Sequence, residues 1–301
     1  KKVLTTLLIV LFMALLASCN EDRTPKPPPK KGTILMLLGS KISYWEQIYQ
    51  GAAEEGLKEN YDIKIVYRDA DTVNTTIINT LNNIGSIPNL KGIIMMPGDK
   101  SIEDIIIILN INVPVVIVDQ KLNENSALQT SVRTTVVADN EGLGKDISSR
   151  ISEKKILTLC YPIGGSYDRS LAIQQSRAKG DVDMIVVSDA RAAKDSISAY
   201  VNKHKGENYA VAFATGSFIN EETMPLLAGK KVYAVDMSEQ IQSDIEKGDI
   251  EFAAIPSTFE MGAKAVHFIA DSSICSSIQY IPIVYANKNN IKSEEVQRFL
   301  K

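Results

Sequence analysis

Unbroken apolar runs alternate along this chain with stretches in which apolar side chains recur every three or four positions. Residues 33–38, 63–67, 92–96 and 115–118 are runs of the first kind. They predict strands buried on both faces of a parallel sheet, because half-exposed strands alternate apolar and polar residues instead. Helical stripes lie between them: Trp45, Ile48, Tyr49, Ala52 and Ala53 after the first run, and Ile77, Ile78, Leu81 and Ile84 after the second. The run 105–109 is apolar throughout, so its periodicity does not separate helix from strand. Its place between two strands predicts a helix, since parallel strands need a crossover. A further strand over 134–138 leads into Asp139 and Asn140, residue types that cap helices well.

From residue 155 the same order recurs, with apolar runs at 156–159, 185–189, 210–216 and 232–236. Tyr44 and Tyr167 are 123 residues apart, Asp69 and Asp189 120, Gly98 and Gly216 118, and Asp119 and Asp236 117. A drift this small implies a duplicated α/β unit: two doubly wound parallel-sheet lobes. Such sheets bind ligands outside the carboxyl ends of their strands, so two facing lobes make a cleft with Asp119 and Asp236 as opposed jaws. Late in the chain come a strand at 252–255, a helix burying Met261, Ala265, Phe268 and Ile269, and a strand at 281–285. If those strands return to the first and second lobe respectively, the chain crosses three times, and the crossings form a three-segment hinge.

Length agrees, since 301 residues favour two domains. The formal charge is −3; the first eighteen residues hold two lysines and no acid, so without them it is −5. No basic patch points to nucleic acid. Lys1-Lys2 and the apolar run 3–17 have the arrangement of a secretory signal, too short for a comfortable membrane span. The segment closes on Leu16-Ala17-Ser18-Cys19, which resembles a bacterial lipobox, and Cys19 is the candidate for lipidation. Acyl chains contribute roughly 0.8 kcal/mol per buried methylene, so a multiply acylated Cys19 would hold the protein to a bilayer. Residues 20–31, with Pro25, Pro27, Pro28 and Pro29 among charges, read as an extended tether reaching about 35 Å.

Cys160 lies in an apolar strand and Cys275 in a polar segment, and without motif spacing they read as buried or idle thiols rather than a disulfide. His204 and His267 have no metal-ligand spacing; the first is expected to be exposed and the second structural. The chain has no G-x-G-x-x-G, no P-loop and no G-x-S-x-G. Neither enzyme chemistry nor a cofactor is expected.

Several stretches together resemble the type I periplasmic binding proteins, in the ribose and galactose branch that delivers sugars to ABC transporters. They are Ser40 to Trp45 with Gly51-Ala52, Gly92-Ile93-Ile94-Met95-Met96-Pro97, Val113-Pro114 running to Asp119, Ala138-Asp139-Asn140, Val235-Asp236, Glu246-Lys247-Gly248 and Glu260-Met261-Gly262. The resemblance implies a signal and lipidated Cys19 over 1–19, a tether over 20–31, an N-terminal lobe of 32–136 plus 256–278, and a C-terminal lobe of 137–255 plus 279–301. It implies aromatic stacking on a sugar by Tyr44 and Trp45, hydrogen bonds to ring hydroxyls from Asp119 and Asp236, and a guanidinium over the cleft from Arg169. Lys41 stands where such proteins often carry an amide, and Gln120 where they carry an arginine. Met96, Gly216 and Pro256 likewise replace polar partners, which argues against a fully hydroxylated pentose. The implied molecule is an exported, membrane-anchored monomer that presents a sugar-like solute to an ABC permease, or a sensory subunit read by a membrane kinase or chemoreceptor.

Overall fold

The computed structural model describes residues 29–68, 74–98, 100–123, 125–271, 273 and 278–299. The expected signal, Cys19 and most of the tether lie outside the described residues, as do Asp69 and Cys275. The folded unit spans Lys31–Lys301.

The first half begins with β1 (Thr33–Leu38), α1 (Ser43–Glu59), β2 (Asp62–Tyr67), α2 (Thr75–Asn82), β3 (Leu90–Met95), α3 (Lys100–Ile108), β4 (Val115–Val118) and β5 (Val132–Val137). The second follows with α4 (Asn140–Arg150), β6 (Lys155–Cys160), α5 (Gly165–Gln175), β7 (Val182–Val186), α6 (Ala190–Lys203), β8 (Tyr209–Phe213), β9 (Lys231–Val235), α7 (Glu239–Lys247) and β10 (Phe252–Pro256). The end holds α8 (Thr258–Ala270), β11 (Ile278–Tyr280), β12 (Ile283–Ala286) and α9 (Glu294–Phe299).

These strands form two six-stranded sheets, ordered β11-β5-β4-β3-β1-β2 and β12-β10-β9-β8-β6-β7. Replacing each strand of the first by its counterpart in the second reproduces the order, so the duplication read from sequence is a duplication of topology. Its one asymmetry is at the edge, where β11 runs parallel to β5 but β12 antiparallel to β10. The unbroken runs became strands because helices cover both faces: β1, β4 and β9 are buried almost throughout. The run 105–109 falls in and just beyond α3 and leaves Ile108 exposed.

The end of the chain differs from expectation. The 252–255 strand stays in the second sheet, between β9 and β12, within the 137–255 bounds of the second lobe rather than returning to the first, and the first lobe recovers α8 and β11 instead. The apolar run 281–285 is not one strand: Pro282, which has no amide to donate to a ladder, separates β11 from β12. Residues 279 and 280 therefore pair with β5 in the first sheet, two residues past the expected boundary at 278. The chain passes between lobes after β5, between β10 and α8, and between β11 and β12. The 185–189 run also shifts, because β7 ends at Val186 and Asp189 caps α6 by accepting from the Ala192 amide at 2.8 Å.

Helices α1 and α8 pack unusually close. The buried stripe of α1 is Trp45, Ile48, Gly51, Ala52 and Gly56, rotated from the expected one toward its glycines. A Cβ on Gly51 would lie 1.9 Å from the Phe259 carbonyl oxygen, and one on Gly262 1.8 Å from that of Ile48. Thr258 Oγ1 also donates to Gln47 Oε1 at 2.6 Å. This contact holds the returning helix onto the first lobe, so Gly51→Ala and Gly262→Ala are each expected to destabilise by about 1–3 kcal/mol or more. Gly85→Ala, where a Cβ meets nothing within 4 Å, should stay within about 0.5 kcal/mol. Urea unfolding of the three variants checks the contrast.

Candidate functional site

At the carboxyl end of β4 the backbone turns through Asp119 at φ 72°, and at the end of β9 through Asp236 at φ 70°. Both are in the left-handed region, which costs a non-glycine residue about 1–2 kcal/mol, less for Asp than for most. Both amides donate to the next strand at equivalent points, Asp119 to the Val136 carbonyl at 3.1 Å and Asp236 to that of Ala254 at 3.0 Å. Strained non-glycine backbone of this kind clusters at ligand clamps and active sites. Asp236 does not cap the helix that follows it, because Ser238 caps α7 through the Ile241 amide.

Tyr44, in the first turn of α1, donates its hydroxyl to Asp119 Oδ1. Trp45 beside it is 8% exposed and belongs to the first lobe's core. Its indole fills the space over Gly39, where a Cβ would come 2.2 Å from Nε1, and it meets the Tyr44 ring edge-on at 5.1 Å. Trp45 thus packs beneath Tyr44, whose ring is half-buried.

The second lobe supplies Arg169 from α5, only 8% exposed. Its Nε donates to the Ala214 carbonyl at 2.8 Å and its Nη1 to Asn140 Oδ1 at 2.6 Å. Asp139 makes this possible: it takes the cap of α4 by accepting from the Gly142 amide, which leaves the Asn140 side chain to hold the guanidinium. Asp236 Oδ2 accepts from the Gly216 amide at 3.2 Å and the Thr215 hydroxyl at 3.4 Å. Gln120 crosses to the second lobe, where Gly164, at φ 80°, comes so near that a Cβ would stand 2.9 Å from Gln120 Nε2.

The charges act across the gap. Burial raises the Asp119 carboxyl above its usual range, opposed by the Tyr44 hydrogen bond and the Arg169 guanidinium and reinforced by Asp236. Burial and the two carboxylates hold the Tyr44 hydroxyl well above the ordinary tyrosine range. Tyr44, Asp119 and Gln120 of the first lobe therefore converge with Asp236 and Arg169 of the second. Lys41 does not join them: it is exposed, and its ion pair is with Glu46 at 3.9 Å. Sequence reasoning missed Asn140, Thr215 and Gly164. The Asp139-Asn140 pair was the available signal, since only one of two adjacent cap formers can take the cap.

Away from the cleft, Glu55 and Glu59 on α1 and His267 on α8 bring ligand atoms within 4.8 Å of one another. Both carboxylates already pair with lysines, Glu55 with Lys58 at 3.3 Å and Glu59 with Lys31 at 3.4 Å, and the imidazole is exposed. His204 is not exposed as expected; it stacks on Tyr200 with ring centroids 4.2 Å apart. No described helix is long and apolar enough to cross a membrane.

No protein-family model matches the chain, and no curated protein matches it. Solved structures do. An ABC transporter solute-binding protein from Agrobacterium vitis with bound D-fucose aligns at a TM-score of 0.71 and 16% identity, over 88% of this chain and 99% of that one. A second from the same organism, bound with α-D-tagatopyranose, gives 0.75 and 16% over 89% and 99%. A periplasmic ribose ABC transporter protein from Conexibacter woesei gives 0.70 and 14% over 90% and 95%. At such identities the likeness is one of fold: two parallel-sheet α/β lobes of the periplasmic binding protein type I.

Because its folded value is raised, Asp119 contributes stability that is full below its unfolded value, near 3.8, and is lost as pH climbs through the raised value. Asp119→Asn removes that titration. Without ligand, the melting temperature of the unmodified protein should fall relative to Asp119→Asn from pH 3.8 upward and then run parallel. A difference independent of pH would count against a buried carboxyl.

Proposed function

We propose that this protein captures a small polar solute, a sugar or sugar derivative, between its lobes and delivers it to an ABC importer, held at the membrane through a lipid on Cys19. The observation that carries the reading is the meeting of Tyr44, Asp119, Asp236 and Arg169 at the strand tips of two lobes. An aromatic ring, two acceptor carboxylates and a guanidinium suit a solute with one apolar face and a polar edge. No bond need be made or broken, and closure about the three crossings is enough to enclose such a solute. Asp119 and Asp236 accept from ligand hydroxyls, Arg169 donates, and Tyr44 gives its ring. Gln120 borders the ligand where the lobes touch, Trp45 supports Tyr44 from the core, and Lys41 stays at the rim. Solved structures of the same fold with bound sugars support the reading by analogy.

A thermal-shift screen of sugars, polyols, nucleosides and sugar acids tests it, and a concentration-dependent rise in melting temperature is the expected result. With a hit in hand, Asp236→Ala is expected to weaken binding by about 1–3 kcal/mol, roughly ten- to a hundredfold, through an unpaired ligand donor. Tyr44→Ala should weaken it while melting stays cooperative. Calorimetry with unchanged affinity in both variants would remove these residues from the site. For the anchor, Cys19→Ser expressed in a bacterial host should move the protein from the membrane to the soluble fraction; equal partition of both forms rejects lipidation.

A further inference from the structure

The groups that meet between the lobes accept more hydrogen bonds than they donate. Ionised carboxylates only accept, with room for about four bonds each. Asp119 takes the Tyr44 hydroxyl on Oδ1. Asp236 takes two donors on Oδ2 and none on Oδ1 among the described residues. Arg169 is the cation acting on Asp119 and Tyr44, and its Nε and Nη1 are committed to Ala214 and Asn140. Two formal negative charges thus face one positive charge in a largely desolvated space.

A sugar hydroxyl both donates and accepts, and is best met by neutral groups that do the same. Among the described residues of the cleft such groups are few. The Asn140 oxygen is on Arg169, the Gln120 amide lies against Gly164, and Gly216 has no side chain to offer. An ammonium group has three donors and no acceptor, so it matches acceptor-only neighbours. It also balances the excess negative charge, whose burial is otherwise costly, and its bonds to carboxylates are roughly twice as strong as neutral ones. Burial displaces the Asp119 carboxyl upward and Asp236 adds to the rise, which an ammonium beside both acids would oppose.

We propose, on the premise that the cleft captures a solute, that its preferred ligand is an amine-bearing sugar or polyol, with the ammonium between Asp119 and Asp236 and hydroxyls toward Arg169. Trp45 is the single tryptophan and touches the Tyr44 ring, so its emission reports on the cleft. Fluorescence titration of the full chain, confirmed by calorimetry, would compare D-galactosamine with D-galactose, D-glucosamine with D-glucose, the N-acetyl derivative of each amine, and D-gluconate.

In at least one pair the amine should bind tenfold tighter or more, and its N-acetyl form, which has lost the charge, should fall back to the level of the parent sugar. Asp236→Asn should erase the preference, bringing the amine's affinity down to that of its parent sugar measured in the same variant, and Gln120→Lys should reverse it by supplying the missing cation. Parent sugars, N-acetyl forms or gluconate binding as tightly as the amines would overturn the amine preference and leave solute capture standing. Silence from every member of this panel overturns the amine preference too, and the wider screen above then decides capture by itself.

Discussion

A buried carboxylate that its own lobe cannot fully satisfy links the halves of this molecule. Asp119 accepts from Tyr44 of the first lobe, yet the cation that offsets its charge, Arg169, belongs to the second. Arg169 is in turn held by Asn140 and the Ala214 carbonyl rather than by an acid of its own. A charge out of water is tolerated only when paired and hydrogen-bonded, so the facing of the two lobes and the chemistry of the cleft share one electrostatic constraint.

The duplicated topology explains why that constraint arises where it does. Both sheets run in the same order and both end their fourth strand on an aspartate in the left-handed region. The copies then diverge in what they place beside the acid: a tyrosine hydroxyl at Asp119, a backbone amide and a threonine hydroxyl at Asp236. One architecture therefore yields two unlike jaws. The asymmetry extends to the sheet edges, where Pro282 stands between β11, parallel to β5 in the first sheet, and β12, antiparallel to β10 in the second.

Much of this was legible beforehand, for reasons that differ by residue. The strands of both sheets announced themselves because burial on two faces demands unbroken apolar runs, and the repeat spacing aligned Asp119 with Asp236 without any knowledge of contacts. The buried stripe of α1 departs from the one the pattern predicts, because Gly51 and Gly56 carry no hydropathy signal although α1 buries both. The helical stripe puts Trp45 in the core, while the resemblance puts it with Tyr44 on the ligand. Their separation into core and cleft follows from the close fit of the indole over Gly39, a contact between residues on different elements.

The sequence by itself determined what depends on local pattern: the alternation of strand and helix, the twofold repeat, and the acids at the strand ends, since these follow from periodicity and turn chemistry along one stretch of chain. Only the tertiary structure decided which donors face which acceptors. That Asn140 serves Arg169, that Gln120 abuts Gly164, and that Lys41 stays with Glu46 are outcomes of packing between segments far apart in the chain. Hydrogen-bond partnership at a buried site depends on distance and desolvation, and neither is encoded in spacing along the chain.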